Sequence, residues 1–153
     1  MRIPLAALLL TALTFGGCAS YQLGDKNAEA ALKKFEPVPD KSSLYVCREP
    51  AALVAAGVTT NVLVDGRDIG AVRPNSFVHT LVDPGQRSVM MKNDGVAGTS
   101  SPRIEFQARA GELAFLWIGV TGRGFGTYTI DTFDSEKAAK DCVLGAAYAV
   151  RAP

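Results

Sequence analysis

Asn61-Val62-Leu63-Val64-Asp65-Gly66-Arg67-Asp68-Ile69-Gly70 decides the fold of this chain. Asp65-Gly66 stands between two apolar runs and supplies the positive φ that a tight hairpin turn needs. Outward from this hairpin, short β-branched and aromatic runs alternate with Gly, Pro, Asn and Asp. The pattern predicts strands near residues 43–48, 60–65, 68–73, 76–82, 86–92, 102–109, 112–120 and 125–132, most of them hairpin neighbours. Asp83-Pro84-Gly85 marks a second turn and Ala110-Gly111-Glu112 a third. Leu113 to Val120 alternates poorly, so it reads as a central strand buried on both faces, with Trp117 necessary to the fold. The domain is therefore all-β.

Two helices flank the strands. Ala28, Ala31, Leu32 and Phe35 recur at i, i+3, i+4 and i+7, which predicts a short amphipathic helix over residues 25–35. Its stripe is mostly alanine, which favours packing on the domain or partial fraying over lying on a membrane. Pro37 and Pro39 stop the helix and make residues 36–40 a stiff spacer. At the other end, Asp134 or Ser135 is the N-cap of a C-terminal helix, Glu136 lies in its first turn, and Gly145 ends or weakens it.

The first eighteen residues carry an address. Arg2 and the amino terminus form a positive n-region, residues 3–15 an apolar h-region, and Gly16-Gly17 a small-residue cleavage site, the pattern of a secretory signal. Phe15-Gly16-Gly17-Cys18 resembles the bacterial lipobox, with Phe15 where Leu is usual. The resemblance implies that Cys18 is acylated and becomes the new amino terminus. Ordinary secretion with cleavage near Ala19 is the principal rival. An uncleaved membrane helix is disfavoured because a span needs about 20 apolar residues. Ala19 stands where Asp would signal inner-membrane retention, so the resemblance implies an outer-membrane, periplasm-facing protein. Assigning Cys18 to lipid leaves Cys47 and Cys142 as an even pair in an oxidising compartment. A disulfide is the simplest reading and two unpaired buried thiols the alternative.

Removing residues 1–17 leaves 136 of the 153 residues, one domain's worth, with 15 basic and 15 acidic side chains. Lys33-Lys34 is the only adjacent basic pair, so nucleic acid is not an expected partner. His79, the only histidine, shares a strand face with Phe77 and Leu81 and reads as a partly buried structural residue with a local hydrogen bond. Gly119 to Gly126 is glycine-rich, but it continues into a strand where a nucleotide-binding loop would open a helix. Arg123 and Phe125 at its tip are a candidate partner contact. Asp65, Asp68, Asp83 and Asp94 are explained by turns, and Ser42-Ser43 and Ser100-Ser101 lack nucleophile motifs. No enzyme, metal site or cofactor is expected.

Ser43-Leu44-Tyr45-Val46-Cys47-Arg48, the 61–70 hairpin, Ser76-Phe77 and Asp83-Pro84-Gly85 together resemble an uncharacterised family of small Gram-negative lipoproteins. The hairpin and Pro-Gly turn are also similar to PEGA-type domains. The resemblance spans roughly residues 41–133 and implies a mainly antiparallel β-sandwich, Ig-like or prealbumin-like, at the cell envelope. The expected organisation is a signal peptide over 1–17, a lipidated tether with its short helix over 18–40, and a sandwich with C-terminal helix over 41–153. The expected role is a non-enzymatic module, anchored to the membrane by its lipid, contacting an envelope protein, peptidoglycan or another glycan. The alternatives are a periplasmic carrier of an apolar or glycan ligand and, third, an envelope hydrolase.

Overall fold

The Asp65-Gly66 pair turns the chain as its chemistry requires. Asp65 has φ 48° and Gly66 φ 79°, and Val64 pairs with Arg67 directly across the two-residue turn. Ser88 fixes the turn to the next strand: its N–H donates to Asp65 Oδ1 at 2.9 Å and its carbonyl accepts from Asp65 N at 2.9 Å. The computed structural model describes residues 21–50, 58–92, 101–121 and 127–152. Its elements are β1 (Tyr21–Leu23), α1 (Lys26–Leu32), β2 (Ser42–Arg48), β3 (Thr60–Val64), β4 (Arg67–Val72) and β5 (Ser76–Val82). They continue as β6 (Gly85–Lys92), β7 (Ile104–Ala108), β8 (Leu113–Thr121), β9 (Thr127–Thr132), α2 (Glu136–Gly145) and β10 (Ala147–Arg151).

Two sheets face each other, one six-stranded in the order β1-β10-β5-β2-β8-β9 and one four-stranded in the order β4-β3-β6-β7. Pairing is mainly antiparallel, with β2–β8 and β5–β10 parallel. The sandwich interior takes one side of each strand, including Leu44, Val46, Val62, Val72, Val89, Leu116 and Ile118. A second core lies on the outer face of the larger sheet, where α1 and α2 cover Tyr45, Cys47 and Phe77. The molecule is thus a β-sandwich with a helical layer on one side.

β2 is the strand buried on both faces. All seven of its residues are buried, alternating between the two cores. Arg48 ends it inside the sandwich, where Nη1 donates to the carbonyl of Val58 at 2.7 Å and to Thr60 Oγ1 at 3.3 Å. β8 corrects the sequence-based expectation. It lies next to the sheet's last strand, burying Leu116 and Ile118 inward, while Leu113, Phe115 and Trp117 are half-buried on the outer face. The Trp117 ring lies over Gly119, where a Cβ would come within 2.1 Å of it, and its Nε1 donates to Thr132 O at 3.0 Å.

The turns need a second correction. Asp83-Pro84-Gly85 and Ala110-Gly111-Glu112 do not close hairpins but carry the chain between the two sheets, from β5 to β6 and from β7 to β8. The sheets face each other across roughly 10 Å, so a short corner suffices.

The ends of the chain also differ from expectation. Ser135 caps α2, its Oγ accepting from Ala138 N at 3.2 Å, and the helix ends at Gly145. The chain then returns as β10, a strand absent from the sequence reading. β1 pairs antiparallel with β10, Tyr21 opposite Arg151 and Leu23 opposite Ala149, so residues read as tether belong to the folded body. Cys47 and Cys142 are disulfide-bonded with Cα atoms 6.4 Å apart, tying α2 to the central strand.

Candidate functional site

A concavity lies beside the helical layer, on the β8–β9 side of the larger sheet. It is a groove of about 570 Å³ between α2, the chain after α1 and the β8–β9 side of the sheet. Phe35, Leu113, Phe115 and Phe133 form its apolar lining, and Glu112, Ser135, Glu136 and Lys140 its polar rim.

Local geometry sets each ring. Phe35 follows α1 at φ 55°, a left-handed conformation that swings the chain off the helix and onto the sheet. Its ring meets Tyr45 at 5.5 Å and Phe115 at 6.0 Å, the latter edge-on. Tyr45 stacks on Phe115 at 5.2 Å and donates from its hydroxyl to Leu32 O at 2.9 Å, so α1, β2 and β8 hold one another through aromatic contacts. Burial pushes the Tyr45 hydroxyl up to about 12, keeping it a donor. On the rim, Lys140 pairs with Glu136 Oε1 at 2.6 Å and lies 5.4 Å from the Phe35 centroid. An apolar floor with a mixed-charge rim suits binding of an apolar or aromatic group that carries polar surroundings.

His79 lies deeper in the same aromatic layer, its ring 4.7 Å from Tyr45. Its Nε2 is buried without a hydrogen-bond partner, and burial lowers its pKa to about 4. The half-buried strand position agrees with the sequence reading of His79, whereas the local hydrogen bond expected for it is not made by Nε2. Among the described residues, no three His, Cys, Asp or Glu side chains form a metal-binding group.

A second hollow of about 350 Å³ lies beside the 65–66 turn, lined by Asp65, Arg67, Leu81, Asp83 and Arg87. Asp65 and Arg87 are paired across it, and the Asp83 carboxylate is paired with Lys41. Arg87 donates to Asp65 Oδ2 at 3.1 Å and to the carbonyl of Asp83 at 2.8 Å, and the Ser88 N–H foremost lowers the Asp65 pKa.

Of the residues singled out from sequence, Cys47 and Cys142 are brought together. Cys18, Arg123 and Phe125 lie outside the described residues. The groove itself was not foreseen. Phe35 and Phe115 read as core positions, and only the fold leaves one side of each ring uncovered. Among the described residues no helix is long and apolar enough to cross a membrane. No protein-family model, curated protein or solved structure matches the chain.

Proposed function

We propose that this is a non-enzymatic lipoprotein of the cell envelope, acylated at Cys18, lodged in the outer membrane and facing the periplasm, whose sandwich binds another envelope component. The phenylalanine-lined groove carries this reading. It is a concave, partly apolar surface that the protein's own helices leave open, and it is rimmed by charges that would orient a polypeptide segment. The signal-like pattern of residues 1–18 and the Cys47–Cys142 bond support an oxidising, exported setting. The buried, unpartnered Nε2 of His79 supports a role without acid–base chemistry. The two-sheet build with short connections supports the finer Ig-like or prealbumin-like assignment. A second reading, a carrier of an apolar or glycan ligand, is favoured by the same three phenylalanine rings, which could stack on a sugar face or an acyl chain.

A photo-crosslinking residue at Phe133 in the natively exported protein tests the site, with Gln107 on the opposite sheet as control. A single stoichiometric protein adduct at position 133 alone is expected. A lipid or glycan adduct there supports the carrier reading, and equal labelling at both positions overturns the groove as the site.

A further inference from the structure

We infer that the sandwich does not hang from the membrane on a free tether but is held against the leaflet carrying its lipid, the β1–β10 edge facing the phospholipid headgroups. This rests on the acylation of Cys18 proposed above.

Reach sets the orientation. A free chain from residue 18 to residue 40 would extend to roughly 75 Å when fully drawn out. The fold consumes most of it. Tyr21, Gln22 and Leu23 pair with Arg151, Val150 and Ala149, and Gly24 N donates to Tyr148 O at 2.9 Å. The Glu29 carboxylate accepts from Tyr148 N at 3.1 Å, and Lys33 Nζ donates to Ala146 O at 2.7 Å. Gly24 admits no side chain, since a Cβ would lie 2.3 Å from the Tyr148 ring. What remains between Cys18 and β1 is three Cα–Cα steps, at most roughly 11 Å. The headgroup layer of one leaflet is roughly 5 to 8 Å deep. A lipid seated at the hydrocarbon boundary uses most of that length to cross the headgroups, which brings Tyr21 out at their surface.

The side chains at this point suit that neighbour. Arg151 lies opposite Tyr21, and the Arg73 guanidinium lies 4.8 Å from the Tyr21 ring. Both arginines are exposed, as is Leu23 on the same strand, at 51%. Two guanidinium groups beside an interfacial tyrosine match a phosphate-bearing surface. The orientation also has a consequence for binding. β8, which lines the groove, is four strand spacings from β1, roughly 19 Å at about 4.8 Å each, so the groove opens well above the headgroups.

The test uses the full, natively processed chain in vesicles of phosphatidylethanolamine and phosphatidylglycerol whose acyl chains are brominated near the headgroup. Gln22→Trp reports on the β1 edge, native Trp117 on β8 is the distant reference, and Leu23→Trp is a second reporter on an exposed position. Quenching of either introduced tryptophan is expected to exceed that of Trp117 several-fold. An acylated protein in which neither position 22 nor position 23 is quenched more than Trp117 overturns the docking inference alone. A mature mass without acyl chains at Cys18 overturns the lipidation reading and this inference with it.

Discussion

Gly70 is constrained twice. Its φ is 137°, and a Cβ there would meet Val78 Cγ1 at 3.1 Å and the backbone of Arg151 and Val150 at 3.2 and 3.3 Å. It stands just after a bulge in β4, where Ile69 has no partner opposite, and Asp68 Oδ1 accepts its N–H at 2.9 Å. Gly66 needs only its positive φ and faces open space. Gly70→Ala is therefore expected to cost about 1 to 3 kcal/mol and Gly66→Ala about 1, read from urea midpoints followed by Trp117 fluorescence. Equal losses would show that close packing against β10 adds nothing to the strain. At this scale, what depends on chemistry within a few residues was legible: the Asp65-Gly66 turn and the Ser135 cap are local hydrogen-bond and φ requirements. Gly70 was not, because its crowding comes from β5 and β10, and the place of Leu113 to Val120 was not, because it depends on which strands flank β8 in the sheet.

Between elements, legibility follows the distance in sequence to the partner. β3 and β4 announce each other across two residues, whereas β1 and β10 owe their existence to pairing across nearly the whole chain. Ala147 to Arg151 has too little periodicity to call for a strand on its own. The same distance explains the corner turns, since Pro-Gly chemistry specifies a reversal and not which sheet receives the chain. The N-terminal clasp to β10 is centred on Glu29, whose carboxyl is held down at about 2 by Lys33, the Tyr148 N–H and Lys26. The depressed pKa means the native state favours the carboxylate. Its contribution is fully present above about pH 4.5 and is lost as pH falls towards about 2. Glu29→Gln is expected to lower stability by about 1 kcal/mol near neutrality, solvent screening of a surface pair included. Near pH 2 the variant and the parent should converge. Urea unfolding of both proteins at the two pH values checks this, and a pH-independent difference would remove the carboxylate from the clasp.

Across the whole molecule, β2 is the organising strand and the two chain ends are its cover. Sequence read residues 18–40 as a leash and 41–153 as the domain. The folded body also draws on residues 21–35, for an edge strand of its larger sheet that the sequence did not announce and for part of its second core, where Leu32 and Phe35 pack as the helix's apolar stripe led one to expect. Full burial of a Leu or Phe side chain is worth roughly 1.5 to 3 kcal/mol, and Leu32 and Phe35, partly buried, each contribute a share of that. A mature domain of this size has only about 5 to 15 kcal/mol in total. A chain shortened to begin at Lys41 leaves β10 as an unpaired edge and uncovers Tyr45, whose hydroxyl loses its acceptor at Leu32 O. The Cys47–Cys142 bond still holds α2 in place, so the loss falls on the side nearest α1. Relative to a chain beginning at Ser20, the shortened one is expected to lose several kcal/mol and to expose the second core to a hydrophobic dye while keeping most of its strand signal. Equal urea midpoints for the two chains would return residues 21–40 to the status of a tether. The short reach from Cys18 to the body would then lose its structural basis, because a segment that adds nothing to stability is free to detach and extend.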